Sequence, residues 1–577
     1  MSNLNQISNT EYDVIVCGLG TAGSIALIEA ARRGLKVLGV ERTNFMGGMG
    51  TGGLIAGYYL GLNGGLHDDF DTESKTLAKG SNYLNNYRNF NAEMKKIVLE
   101  QHADKAGADY LYQSLVVNLI LDGNQITGAE IFADGTITQV KCRYFIDATA
   151  DGNCARLAGI PFNYGRENDQ LTHSYNFDFA AVGSDRVIGF TWFDAGLTDQ
   201  LNPAQLAQSI CRDLQFYFAD KFEPEGHIAY FAPLLGLREG PLLIGRETVR
   251  AQDIMNDRYT PEPVFYEYSN FDSHNTDWVF EDDALQEIFL GSGLWSHRFY
   301  VPLPRGVMLP KDYENILVIG RAMAIDHALA CAVRMKQAMQ YSGQCAAIMI
   351  DLALKKKCAI MDLPYEMLQR ELIRGKIPLE HYETQNAASF LTNPEEIIAK
   401  LGSETPALAI WSVRRLGKMI TPRLHQFCHV EDKPLNINCA LALGLAGDEV
   451  ALPLLRYIAF EVKDSTPIKH ERPAFRYSSK QVSAIYLLGK LGDATDIDRL
   501  IEFISNLSYP AVDFELLAVG IKSLSKLAER YPADTPKIKT AVINNVNRAA
   551  GHLKYPVYGK VFEVDRQASF AAIISKL

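Results

Sequence analysis

The sequence has no CxxC pair. Its nine cysteines are scattered singly, without the Cys/His spacing of a zinc or iron–sulfur site and without the clustering of a disulfide framework. No metal site is expected, and a reducing cytoplasm is the simplest compartment. Lys and Arg form no dense block and the net charge is -11, so neither nucleic acid nor an anionic membrane surface finds a matching patch. No uncharged apolar run reaches the roughly 18 residues needed to span a bilayer. The opening "MSNLNQISNTEY" lacks the basic start and apolar core of a secretory signal. What the 577 residues do have is 47% hydrophobic content, enough for about three or four domains with sizeable cores.

The first pattern with chemistry in it is "YDVIVCGLGTAGSIALIEAARRGLKVLGVER". Tyr12 to Val16 is a short apolar run suited to a strand buried on both faces. Gly18, Gly20 and Gly23 follow as GxGxxG: one glycine for the turn, one for close approach of a pyrophosphate, one for helix–strand packing. The helix read from about Gly20 to Arg33 would receive the pyrophosphate at its N-terminus, where free N–H groups favour anions. Glu41, 18 residues beyond Gly23 at the end of the second strand, stands where a carboxylate accepts ribose hydroxyls. This points to a dinucleotide site; a glycine-rich loop in another α/β fold is the plainer alternative. The next segment, "FMGGMGTGGLIAG", exposes backbone amides to a bulky ligand, which favours FAD over NAD; a flexible surface loop is its bland reading.

Further on, runs broken by "DGN" and "ADG" read as an antiparallel meander returning into a buried strand, Tyr144 to Ile146, before "DATADGNCARLAG". Asp151 there suits a helix cap. Aromatics crowd the residues from 161 to about 300, with helical periodicity only around 203 to 220, as in a mixed α/β insertion with its own sheet. In "GLREGPLLIGRETV", Arg238 and Glu239 read first as a structural ion pair, or Arg238 as an anion ligand. Ile316 to Ile319 in "NILVIGR" reads as a buried strand, and small residues recur at helical spacing from about His327 through Gln344.

These segments together resemble the FAD-dependent oxidoreductase family, within the broad glutathione-reductase-like class of flavoproteins. The resemblance covers roughly residues 10 to 355 and is weakest between 165 and 290. It implies an α/β fold: an FAD-binding Rossmann-like domain of glutathione-reductase type in two parts (10–165 and 296–356), an inserted mixed α+β substrate domain (166–295), a helical linker (357–400) and a C-terminal all-α domain (401–577). It also implies that the late helix begins beside the flavin, its N-terminal dipole favouring the anionic reduced ring. The cofactor-binding set becomes Gly18, Gly20, Thr21, Ala22, Gly23, Glu41, Arg42, Gly47, Gly48, Gly52, Gly53, Ala148, Asp151, Gly320, Arg321 and Asp326. Two motifs depart from the class: Gly320-Arg321 replaces the common Gly-Asp, and the "ATG" triplet reads Ala148-Thr149-Ala150. No histidine sits in a covalent-flavin motif, so non-covalent FAD is expected.

In the last third, "NCALALGLAGDEVALPLL" and "SAIYLLGKLGDATDIDRLIEFI" align with an offset of 45 residues, Gly444 over Gly489, a HEAT-like helical repeat or a plain bundle. A packing platform or homo-oligomer interface is its expected use. Proton transfer falls to His297 or His327, since imidazole titrates near neutral pH, and Arg334, two turns along the same helix, is placed to hold a substrate oxygen. A satisfied structural role competes with catalysis for each of them. The expected activity is hydride transfer between FAD and a small polar substrate, a sugar derivative or hydroxy acid, with an unidentified electron acceptor. No second GxGxxG marks an NAD(P)H domain. The alternatives are reduction of an activated C=C bond and a non-catalytic binding or assembly module built on the same fold.

Overall fold

The computed structural model describes residue 7 and residues 10–79, 90–183, 188–220, 227–379, 390–429, 433–472, 474, 476–508, 514–556 and 563–577. The chain divides into two compact units, one of residues 1–165, 171–269 and 300–387, the other of residues 166–170, 270–299 and 388–577. The segment 166–295, expected as one insertion, is therefore shared between the units. Part of the expected linker, 380–389, lies outside the described residues.

In the first unit, strands β1 (Glu11–Cys17), β2 (Val37–Val40), β3 (Asp109–Leu111), β4 (Leu115–Asp122), β5 (Gln125–Ala133) and β6 (Thr136–Asp147) lie in the order β3-β2-β1-β6-β5-β4, with Ile316–Val318 also on β6. β6 serves two neighbourhoods. Its first half pairs antiparallel with β5, and its second half pairs parallel with β1 and with Ile316–Val318. The apolar runs at β1 and β2 are buried on both sides, as a parallel sheet covered by helices requires. Helix α1 (Gly23–Arg32) follows β1 and is buried over most of its length. α2 (Ala92–Ala106) starts under an Asn91 cap that accepts the Glu93 and Met94 N–H groups. A separate three-stranded sheet, order β9-β7-β8, comprises β7 (Tyr175–Val182), β8 (Ile188–Gly196) and β9 (His227–Phe231).

The helix expected to run unbroken from His327 through Gln344 is two elements, a single turn at His327–Ala330 and the long helix α3 (Lys336–Lys356). Different contacts fix each start. Asp326 caps the turn by accepting the Leu329 N–H at 2.9 Å. α3 is placed by Gly343, where an added Cβ would lie 2.1 Å from the Ala22 carbonyl oxygen at the head of α1. Arg334 falls in the break, so it does not share a helical face with His327.

The second unit is mostly helical. α4 (Pro434–Leu445), α5 (Lys480–Leu491), α6 (Ala494–Ser505) and α7 (Phe514–Arg530) bury their apolar faces. Gly444 of α4 lies against Leu487 of α5, and Gly489 of α5 lies against Ser523 of α7. Arg166 is fully buried among Asp169, Asp277 and Glu281. No helix among the described residues is long and apolar enough to cross a membrane.

Candidate active site

The glycine loop is built for a ligand that presses on the backbone. Gly18 has φ +87°, and a Cβ there would lie 2.7 Å from the Ala148 oxygen. A Cβ on Gly23 would strike the Gly18 oxygen at 1.8 Å, whereas one on Gly20 would meet only Gly48 Cα, at 3.8 Å. The Gly18–Gly23 and Gly47–Gly50 backbones thus face each other without side chains between them, at the N-terminus of α1. Thr21 Oγ1 donates to the Gly47 carbonyl at 3.3 Å, and Ala22 is the N-cap of α1. This cradle fits a dinucleotide pyrophosphate. The buried Glu41 carboxylate accepts Leu19 N at 2.6 Å and Thr43 N at 2.8 Å, which ties the end of β2 to the loop that follows β1.

Other members of the expected set have different duties. Gly52 and Gly53 make room for the Phe45 ring and for Met49, closing the loop on itself rather than opening it to a ligand. Arg42 is exposed at the strand end. Asp151 does not cap the following helix: it pairs with Arg321, whose guanidinium also donates to the Ala150 and Leu237 carbonyls. Arg321 is therefore a clasp, its charge spent on the protein. Asp326 likewise spends its carboxylate on Ala251 N, at 3.1 Å, and on its own helical turn. Gly320 remains a required glycine, with φ +76° and its N–H donating to Ser342 Oγ at 3.1 Å.

Two carboxylates not singled out from the sequence organise this end of the sheet. Asp147, buried at the end of β6, accepts Thr149 N at 3.0 Å, Thr149 Oγ1 at 2.6 Å and Ala155 N at 2.8 Å, the cap first ascribed to Asp151. Burial raises its carboxyl above the usual range. Glu267, fully buried, accepts Tyr268 N at 2.8 Å and the N–H of Met335, at the head of α3. Its burial also raises the carboxyl, against the pull of Arg334.

A buried polar wall continues from there. His327 Nδ1 lies 2.9 Å from both oxygens of Glu239, and Glu239 accepts the His173 N–H at 2.9 Å. The His173 and His327 rings stack with centroids 4.4 Å apart. Arg238 and Glu239 are not a pair: Arg238 turns to Asp194 at 2.6 Å and to the Ser174 carbonyl at 2.6 Å. Asp178 and Asn176 lie on one face of β7, with Asn176 donating to Asp178. Burial pushes its carboxyl up to about 8, although Arg238 and Lys336 pull the other way. Lys336, the first residue of α3, donates to the Gly57 carbonyl and lies 5.3 Å from the Tyr58 ring. Desolvation pulls its amine down to about 7, against Asp178 and Asp71. Leu54, Ala180 and Ala232 pack together and so bring the β7 face that carries Asp178 onto the glycine segment. A small pocket adjoins this place, lined by Thr21, Gly47, Gly50, Tyr58, Lys95 and Lys336.

His297 does not join this wall. It belongs to the second unit, edge-on to His470 with ring centroids 6.0 Å apart, and burial lowers its imidazole to about 4. An imidazole so lowered stays neutral at physiological pH.

Comparison with known proteins adds three findings. The sequence model described as FAD dependent oxidoreductase matches residues 13–208 and 189–372. Digeranylgeranylglycerophospholipid reductase 2 of Methanothermobacter thermautotrophicus is 26% identical over 246 residues, 38% of this chain and 54% of that protein. A probable electron transfer flavoprotein-quinone oxidoreductase of Escherichia coli is 28% identical over 207 residues, 32% of this chain and 45% of that protein. The chain thus spans about half the length of the curated relatives it matches. Among solved structures, a geranylgeranyl bacteriochlorophyll reductase-like protein of Thermoplasma acidophilum is similar with a TM-score of 0.34 and 16% identity, covering 63% of this chain and 83% of that one.

Proposed function

The chain belongs to the FAD dependent oxidoreductase family, and from that premise we propose that it exchanges a hydride between non-covalent FAD and a small polar, hydroxylated substrate. Gly18, Gly20, Thr21, Ala22, Gly23 and Gly48 hold the pyrophosphate in this reading, and Glu41 the ribose. FAD, when bound, supplies the acceptor or donor of the electron pair. The protein's remaining task is to place the substrate and to manage one proton.

The observation that carries the reading is the electrostatic coupling of Asp178, on the β7 face packed against the glycine segment, with Lys336 at the head of α3, a carboxyl raised to about 8 and an amine lowered to about 7. Groups that titrate near the working pH are the effective proton carriers. Lys336 Nζ, neutral above pH 7, takes the proton of a substrate hydroxyl. In the reverse direction the same Lys336 ammonium returns that proton, and Asp178, electrostatically coupled to it, favours the charged amine. His327, its Nδ1 held by Glu239, positions the polar end of the site instead of moving that proton. A sugar derivative or hydroxy acid suits a wall so rich in hydrogen-bonding groups.

The same groups serve a second reading, reduction of an activated C=C bond with Asp178 as acid, and the name of the Methanothermobacter relative, a reductase, favours it. The second unit is read as a helical-repeat platform, supported by the matching roles of Gly444 and Gly489. A cytoplasmic location, an unidentified electron acceptor and a homo-oligomer through 401–577 complete the proposal. Anaerobic mixing of the flavin-loaded protein with a panel of sugars and hydroxy acids tests it. Bleaching of the flavin absorbance by a hydroxylated compound is expected; no bleaching by any of them would sink the first reading, and reoxidation of prereduced enzyme by enoates alone would establish the second.

A further inference from the structure

We propose that His173, Glu239 and His327 form a binding site for one divalent first-row transition-metal cation. The site goes beyond the oxidoreductase reading and stands or falls independently of it.

The three side chains come from distant parts of the sequence, and their ligand atoms all lie within 4.8 Å of one another. They are 3%, 1% and 4% exposed, so the cluster is interior. Two imidazoles and one carboxylate make a donor set that zinc, iron, manganese and cobalt accept, whereas magnesium and calcium prefer oxygen alone. Neighbouring ligands on a shell of about 2.1 Å radius stand roughly 3–3.4 Å apart. The His327 Nδ1 to Glu239 separation of 2.9 Å matches that spacing, and the 4.0 Å from His173 Nε2 to Glu239 Oε2 needs only a small closure.

The surroundings hold the ligands as a metal site requires. Glu239 is oriented by the His173 backbone N–H at 2.9 Å, and a metal at His173 Nε2 would replace that nitrogen's contact with the His327 carbonyl, 3.1 Å away. The rings stack nearly parallel, 14° between planes with centroids 4.4 Å apart, which fixes the two imidazoles against each other. Asp326, next to His327, fixes the turn that carries it. Among the described residues no Lys or Arg pairs with Glu239, and the neighbouring Arg238 is turned to Asp194 and the Ser174 carbonyl. A buried carboxylate is stabilised by hydrogen bonds and by positive charge; Glu239 has the first from the His173 backbone N–H, and a bound cation would add the second. Three protein ligands also leave a coordination position open to water or to a substrate oxygen.

The test counts metal in the full-length, FAD-loaded, untagged protein. The protein is stripped with chelator, incubated with Zn²⁺, Mn²⁺, Co²⁺ or, anaerobically, Fe²⁺, desalted and analysed by mass spectrometry for metal and for FAD. We expect about one equivalent of at least one of these metals per chain. Glu239→Gln and His173→Gln should each lower it about tenfold with FAD per chain unchanged, and His297→Ala should keep it. Retention of less than roughly a tenth of an equivalent of all four metals by the wild type would overturn the site in favour of a metal-free His327–Glu239 ion pair. So would retention undiminished in both cluster variants. Should the variants not fold, X-ray absorption of the metal held by the wild type decides. A nitrogen and oxygen shell with imidazole scattering supports the site, and a sulfur-containing shell or one without imidazole removes it.

Discussion

Replacing Gly343 with alanine sets two effects of opposite sign against each other. In a helix interior alanine is favoured over glycine by about 1 kcal/mol. The new Cβ, however, would stand 2.1 Å from the Ala22 oxygen, 3.0 Å from its carbonyl carbon and 3.2 Å from Ala26 N. All three are backbone atoms, so no side chain can swing aside, and α3 must retreat by about 1 Å to restore van der Waals contact. Overpacking of this kind costs about 1–3 kcal/mol, and a rigid backbone partner places the cost at the upper end or beyond. The clash wins by about 2 kcal/mol. Ala22 heads α1 in the glycine loop, and Lys336 and Gln340 of α3 line the adjoining cavity, so the strain falls on the cofactor cradle. If it is felt fully there, FAD affinity drops about thirtyfold. Equilibrium dialysis against FAD, with flavin fluorescence as readout, measures this, and urea unfolding measures the chain. Gly402→Ala, whose nearest atom would be 3.5 Å away, is the control and should leave FAD affinity unchanged and the urea midpoint level or slightly raised. A Gly343→Ala protein with wild-type FAD affinity and an unchanged urea midpoint would refute the reasoning.

Acid stability should depend on His67, fully buried with its ring 5.0 Å from that of Tyr341. Burial, aided by Lys95, lowers its imidazole to about 3, so between about pH 6.5 and pH 3 the unfolded chain binds a proton that the folded chain refuses, and stability is lost as pH falls through that window. His67→Phe keeps the ring and should regain about 2 kcal/mol at about pH 5 relative to neutral pH; equal urea-midpoint losses in variant and wild type would count against it. In the oxidative direction, flavin reduction should speed up as pH rises through about 7, where Lys336 loses its proton. Lys336→Met should abolish that limb of the profile, and a profile the variant leaves unchanged would take Lys336 out of the mechanism.

The cofactor cradle was legible because its parts are consecutive. Gly18, Gly20, Gly23 and Glu41 lie within one strand-turn-helix-strand unit, where local chemistry and spacing decide the geometry. The clasp of Arg321 on Asp151 spans 170 residues and the Glu239–His327 pair spans 88, so no spacing rule reaches them. The break before Lys336 was hidden for another reason. Small and apolar residues continue through 331–335 at helical periodicity, and it is the tertiary contact of Gly343 with Ala22 that sets where α3 lies. Asp178 did leave a trace: in "HSYNFDFAAVG", Ser174, Asn176 and Asp178 alternate with Tyr175, Phe177 and Phe179, placing a polar row on one face of a strand whose other face is aromatic. His297 stands just before the return of the chain to the first unit, and sequence proximity to that return carried no information about its packing against His470.

The central claim is that proton and hydride are exchanged at the wall that carries the coupled Asp178 and Lys336. Anaerobic stopped-flow reoxidation of the prereduced, FAD-loaded enzyme by the oxidised form of its substrate tests this directly, comparing wild type with Asp178→Asn. The account predicts that the variant keeps its FAD and is reoxidised at least about tenfold more slowly, because the partner that favours the Lys336 ammonium is gone. Equal rates at equal FAD content would contradict it.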